Sequence, residues 1–171
     1  ILVTADRGLA GGYNTNLIRK AVEFVRNSAV PVKVIGVGKK GHGFLAKRGS
    51  DVVFTHTVSS AGATVADAEI VASRARKMYE SGEVDAVYVL YSKFFSAIRQ
   101  VPQVTQLLPI EPPPAAATTG NEAEYEFEPS AAGLLDVLLP RYFRTLVTQA
   151  MLEATASEFG ARMTAMTAAT D

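Results

Sequence analysis

The sequence predicts an α/β protein: an open, mainly parallel sheet flanked by helices, followed by a long C-terminal helix. Two observations carry this. Short apolar runs of strand length alternate with segments of helical periodicity through the first half of the chain, and that alternation favours a parallel sheet whose crossover helices cover both faces. Beyond residue 130 the strand signals stop, and apolar and small residues recur at helical spacing almost to the end.

The first predicted strand is Ile1 to Ala5, followed by a Gly-rich turn and a helix over 14–27 with Leu17, Val22 and Val25 apolar. A strand over 32–37, a short helix over 39–47 and a strand over 51–54 come next. A longer helix then places Val65, Ala68, Ala72, Ala75 and Tyr79 on one face, and a strand over 84–91 closes the alternating series. From Phe94 to Leu108, Ile98, Val101, Val104 and Leu107 are spaced too loosely for a helix, and a hairpin partner for the preceding strand is expected. Pro112-Pro113-Pro114 and the small and polar residues after it read as an exposed connector. The expected organisation is an α/β domain over 1–111, a connector over 112–127 and a helical segment over 128–171.

In the last segment Pro140 removes a backbone donor and is expected to kink or restart the helix. Phe143, Val147, Ala150, Ala154, Ser157, Ala161, Thr164 and Ala168 follow a four-three spacing, the seam of a coiled coil whose partner helix is expected outside this chain. The chain opens on an apolar run without Met and stops within a helical pattern, so it reads as a fragment.

Composition removes several function classes. Basic and acidic residues both number 17, so no overall positive field is available to hold a nucleic-acid backbone. With no cysteine and only His42 and His56 as histidines, the chain offers no usual zinc site and no disulfide frame. Both histidines are expected at the surface or in turns. No apolar run approaches the ~20 residues of a membrane-spanning helix, so contact with a membrane is expected to go through partner proteins.

The sharpest enzyme reading rests on Gly36-Val37-Gly38-Lys39-Lys40-Gly41, which follows a strand and opens a helix as a Rossmann dinucleotide fingerprint does. Its acidic partner, which belongs at the end of the next strand to hold the ribose hydroxyls, is missing; Asp51 stands at that strand's beginning. A tight turn that needs small residues is the preferred reading. The turn Asp6-Arg7-Gly8-Leu9-Ala10-Gly11-Gly12-Tyr13-Asn14 likewise lacks the Lys-Ser/Thr pair of a P-loop. Its glycines are expected to serve backbone geometry, with Asn14 capping the following helix. No nucleotide cofactor, no catalytic residue and no metal site is expected. A nucleotide- or dinucleotide-binding enzyme domain is the alternative, and an adaptor using the C-terminal helix as a binding arm is a third possibility.

The segments Thr4 to Asn14, Leu107-Leu108-Pro109, Tyr125-Glu126-Phe127-Glu128-Pro129-Ser130, Leu138-Leu139-Pro140-Arg141-Tyr142, Ala156 to Met166 and Ala169-Thr170-Asp171 resemble, in order and spacing, the gamma subunit of F-type ATP synthases. The resemblance covers nearly the whole chain. It implies the foot and part of one shaft helix of the central stalk, a non-catalytic rotor that couples proton-driven turning of the c-ring to ATP synthesis in the catalytic head. It further implies that the C-terminal helix is half of an antiparallel coiled coil, its partner being a long N-terminal helix. The implied partners are the c-ring, the epsilon subunit and the alpha and beta subunits of the head. Tyr125, Glu126, Phe127 and Glu128 are implied to face the ring or epsilon, and Glu158 and Arg162 to lie where the shaft nears the head. The absence of the cysteine-bearing insertion of chloroplast forms favours a bacterial protein, peripheral at the cytoplasmic face of the plasma membrane. Phe159-Gly160 departs from the residues usual there, and Gly160 is expected to weaken the helix by about 1 kcal/mol relative to Ala. The helix beyond Val147 is expected to be poorly packed without its partner, with Glu158 and Arg162 exposed.

Overall fold

The computed structural model describes residues 1–110 and 130–170. Five strands and four helices follow one another as β1 (Leu2–Val3), α1 (Tyr13–Asn27), β2 (Lys33–Val37), α2 (Lys39–Lys47), β3 (Asp51–His56), α3 (Val65–Glu80), β4 (Val87–Ser96), β5 (Arg99–Leu108) and α4 (Ala131–Thr170). The sheet order is β3-β2-β1-β4-β5. Strands β3, β2, β1 and β4 run parallel, and β5 returns antiparallel to β4 as a hairpin. The expected α/β class and the hairpin partner are both present, with β4 reaching five residues further than the sequence pattern indicated.

Side chains alternate across the strands and divide the core into two halves. Val3, Ile35, Val37, Val89 and Tyr91 face α3 and α4, where Val71, Ala72, Ala75, Met78, Val147 and Met151 close the layer. Their neighbours Leu2, Val34 and Leu90 face Tyr13, Leu17 and Ala21 of α1 and Leu45 of α2. Helix α3 starts at a capping box in which Thr64 and Asp67 satisfy each other's backbone amides. On α3, Ala68, Ala72 and Ala75 are buried as their spacing indicated, but Val65 in the first turn is exposed.

Two expectations about α4 need correction. Pro140 lies inside one continuous helix and does not restart it. The predicted coiled-coil seam is covered within this chain as far as Ser157, with Ala161 half-buried, whereas Thr164 and Ala168 near its end are exposed. Phe143, Val147, Ala150, Ala154 and Ser157 are buried on the sheet and α3 within this chain. The helix from Val147 to Ser157 is therefore packed, because the seam's small residues let it lie close to β4. A different stripe faces solvent: Leu152, Phe159, Met163 and Met166 are all exposed.

Candidate functional site

Open parallel sheets bind ligands at the carboxyl edge, where successive strands depart in opposite directions. Here that point lies beside β1, since β2 and β3 extend the sheet on one side and β4 on the other. The edge carries a cleft of about 540 Å³ whose lining includes Thr4, Asp6, Lys39, Ser59, Glu158 and Arg162.

In a dinucleotide site the amides at the N-terminus of the helix after the Gly-rich turn bind the pyrophosphate. In this chain those amides are taken. Lys39 N donates to Asp6 Oδ1 at 3.1 Å, Lys40 N to the Ala5 carbonyl at 3.1 Å and Gly41 N to Thr4 Oγ1 at 2.9 Å. Gly38 N donates to the His56 carbonyl at 2.9 Å. Asp6 thus supplies an internal anion at the N-terminus of α2, where the helix dipole favours negative charge. Its other oxygen accepts from Val58 N at 3.0 Å, fastening the loop after β3 to the same point.

The fingerprint glycines serve this close packing. A Cβ on Gly38, whose φ is +81°, would lie 2.6 Å from the Thr4 carbonyl carbon and nearer still to its oxygen. A Cβ on Gly41 would meet Thr4 Cγ2 at 2.6 Å. Both glycines let α2 seat against β1, and the sequence preference for a tight turn agrees with this geometry. Asn14 departs from its expected role. Gly12 occupies the N-cap of α1 without a side-chain cap. Asn14 instead holds the loop before it, accepting from Ala5 N at 3.0 Å and donating to the Arg7 carbonyl at 3.3 Å.

Helix α4 closes the edge from the other side. The Tyr13 hydroxyl donates to the Ala154 carbonyl at 3.1 Å, and burial, reinforced by nearby Glu158, pushes its pKa well above the ordinary value, so it stays a donor. Ser157 Oγ donates to the Ser92 carbonyl at 2.8 Å, and Ala63 N to Thr155 Oγ1 at 3.1 Å. Glu158 and Arg162, expected to be exposed and outside any network, form an ion pair at 2.7 Å, and Arg162 also donates to the Gly8 carbonyl at 3.3 Å. That correction follows from the packing of α4, which brings its last turns over the loop after β1. Gly160 has a use here as well: a Cβ would stand 3.1 Å from the Ala97 carbonyl oxygen, so the missing side chain admits the β4-β5 turn against α4.

Tyr125, Glu126, Phe127 and Glu128 lie outside the described residues. His56 is no free surface group, since its Nε2 lies 2.7 Å from Asp67 Oδ1. Among the described residues no cluster of three or more His, Cys, Asp or Glu side chains could hold a metal ion, and no helix is long and apolar enough to cross a membrane. The arrangement locks a helix onto a sheet edge and commits the amides at the N-terminus of α2 to bonds within the chain. The sequence reading missed the exposed stripe of α4, although its 7-4-3 spacing from Leu152 to Met166 was legible.

The family model described as ATP synthase matches residues 1–171. The ATP synthase gamma chain of Moorella thermoacetica is 46% identical over 170 residues, covering 99% of this chain and 59% of that protein. That of Symbiobacterium thermophilum is 46% identical over 171 residues, again covering 59% of its length. The chain thus spans about three fifths of the curated relatives it matches. Among solved structures, a chain from the central stalk and c-ring of Tetrahymena thermophila mitochondrial ATP synthase superposes with a TM-score of 0.74 at 24% identity, over 99% of this chain and 74% of that one. A chain from the rotor of the Euglena gracilis mitochondrial enzyme gives 0.69 at 19% identity, over 98% of this chain and 64% of that one; both show likeness of fold. With its whole length matched by the family model, the chain belongs to the ATP synthase family, among relatives that are gamma chains.

Proposed function

We propose that this chain is the foot and lower shaft of a central-stalk rotor, which couples turning of a proton-driven c-ring to ATP synthesis in a catalytic head. It performs no chemistry itself; catalysis belongs to the alpha and beta subunits, and no nucleotide cofactor is bound. What supports the reading most is the end-to-end match to gamma chains. It fits a sheet edge whose amides are spent on internal bonds and a forty-residue helix locked to that edge. Torque transmission asks for that kind of rigidity. The exposed stripe Leu152, Phe159, Met163 and Met166 is the face to which the rest of the parent protein brings a second, antiparallel helix.

In this reading residues 1–111 are the foot, 112–127 a connector and 128–171 the shaft helix. Tyr125, Glu126, Phe127 and Glu128 face the c-ring or the epsilon subunit, and Glu158 and Arg162 lie where the shaft nears the head. Glu158 and Arg162 are also tied to the foot through Gly8, so a push on the shaft there would reach the β1 loop directly. The assembly sits peripherally at the cytoplasmic face of a bacterial plasma membrane. The test is deletion of the parent gene, which should abolish ATP-driven proton pumping by membrane vesicles, with recovery when the parent is supplied. Pumping that survives deletion would overturn the reading. Glu128→Lys should leave ATP hydrolysis running while pumping falls; full coupling in that variant would remove the proposed ring contact.

A further inference from the structure

The β4-β5 hairpin overhangs the parallel sheet. Strand β1 reaches β4 only at Leu90, and both hairpin strands continue from there to a turn between Ser96 and Arg99. Beyond Ser92 the overhang supplies no buried residue to either core, yet it carries the most exposed large apolar side chain described, Ile98 at 85%. Phe95 beside it is half exposed, and Phe94 and Val101 also reach solvent. Several large apolar groups crowded at one projecting tip are unusual for a surface with no partner.

The charge around them is one-sided. From Val87 to Leu108 there is no Asp or Glu, and the two charged residues are Lys93 and Arg99. Both embrace the same ring: Lys93 Nζ is 5.7 Å from the Phe95 centroid and Arg99 Cζ 4.9 Å. Among the described residues neither forms an ion pair, whereas Lys33, Arg144 and Arg162 each have a carboxylate. The tip is also held in place. Gln100 Nε2 donates to the Ser96 carbonyl at 3.0 Å and to the Ala97 carbonyl, and the Ala97 carbonyl also lies 3.4 Å from Thr164 Oγ1 of α4, whose shorter bond, at 3.0 Å, goes to the Gly160 carbonyl.

We propose that the hairpin tip, formed by Lys93, Phe95, Ile98 and Arg99, is a docking surface for a carboxylate-rich segment of another protein chain that carries an apolar side chain. The carboxylates would pair with these two cations, and the apolar group would cover Ile98 and the open side of Phe95. Cations already seated on an aromatic ring lose little side-chain freedom on pairing, which suits a recognition site. The contact adds to the stalk reading and rests on it only for the assembly used in the test.

The test places a photo-reactive benzoylphenylalanine at position 98 of the full-length parent and irradiates the purified assembly. A cross-link to another chain within a segment rich in Asp and Glu is expected. Its yield should fall at least tenfold in the Lys93→Glu/Arg99→Glu variant and recover in Lys93→Arg/Arg99→Lys. Cross-linking to the glutamate-bearing stretch 111–129 of the same chain, to another part of the parent, to a second copy or to a segment without carboxylates would overturn the proposal. An assembly that contains the parent but yields no cross-link would overturn it too. Failure of the parent to co-purify with other subunits would count against the stalk reading instead. In that event the tip is tested on the purified chain, by titrating a fluorescent Glu/Leu helical peptide against Glu/Ser and Lys/Leu versions. At least tenfold preference for Glu/Leu, lost in Ile98→Ser, supports the proposal, and equal binding of the three overturns it.

Discussion

Replacing Gly38 with alanine separates a structural glycine from a ligand-binding one. The residue adopts φ +81° and ψ 138°, which costs an L-amino acid roughly 1–3 kcal/mol. The added Cβ would lie 2.6 Å from the Thr4 carbonyl carbon, where about 3.4 Å is comfortable. Relieving the clash means moving β1 from the start of α2. The bonds at risk are Thr4 N to the Val37 carbonyl at 2.8 Å and Lys40 N to the Ala5 carbonyl at 3.1 Å, worth about 1 kcal/mol each. Together these come to about 3–5 kcal/mol, or a fall in Tm of about 10 °C for a domain of this size. Thermal unfolding followed by circular dichroism measures it. Gly43→Ala is the control, because a Cβ at that position inside α2 would meet no atom within 4 Å; it should stabilise by about 0.5–1 kcal/mol. A Gly38→Ala chain that melts within 2 °C of the parent (roughly 1 kcal/mol or less) would refute the reasoning. Saturable NAD or ATP binding by the unaltered chain, lost in Gly38→Ala, would revive the enzyme alternative.

Ser157→Ala deletes the buried bond to the Ser92 carbonyl and should cost about 1–2 kcal/mol in urea unfolding, whereas Thr170→Ala at the exposed end of α4 should be nearly silent. Met151→Ala, on the buried side of α4, should cost about 2–5 kcal/mol, and Leu152→Ala, one residue on but exposed, less than about 0.5 kcal/mol in the same chain; equal costs would contradict the division of α4 into two faces. Burial pushes the Asp67 carboxyl up, but hydrogen bonds from Thr64 and His56 outweigh it and hold its pKa below the ordinary value. Because the native value lies below the unfolded one, the stabilisation is complete above the ordinary carboxylate range and disappears as pH falls through the lowered native value. Asp67→Asn should therefore reduce the loss of stability on acidification, measured as Tm against pH, and an unchanged acid limb would remove Asp67 from the account.

The parallel elements were readable because each strand is a short apolar run and each covering helix shows its own period; α2 over 39–47 and α3 from Val65 needed nothing more. Tertiary choices were not readable. The spacing from Phe143 to Ala161 identifies an apolar face but not what covers it, and proximity to β4 and α3 decided that the sheet does. Asn14 carries the chemistry of a cap, yet its carboxamide reaches farther back to Ala5 because the turn after β1 folds under the helix. Gly160 seemed a weakness in an isolated helix and becomes a space for Ala97 once the hairpin is packed against α4. The pairing of Glu158 with Arg162 four residues later was legible in principle as an i, i+4 pair; the bond from Arg162 to Gly8, across 154 positions, was not.

The central claim is that this foot turns. The chain has no cysteine, so one introduced at exposed Val30, in the loop between α1 and β2, gives this part of the parent a unique handle. With the catalytic head of the purified assembly fixed to a surface and a bead attached at position 30, ATP should drive continuous rotation of the bead in a single direction. A bead that stays still, or only fluctuates, while the same molecules hydrolyse ATP would contradict the account.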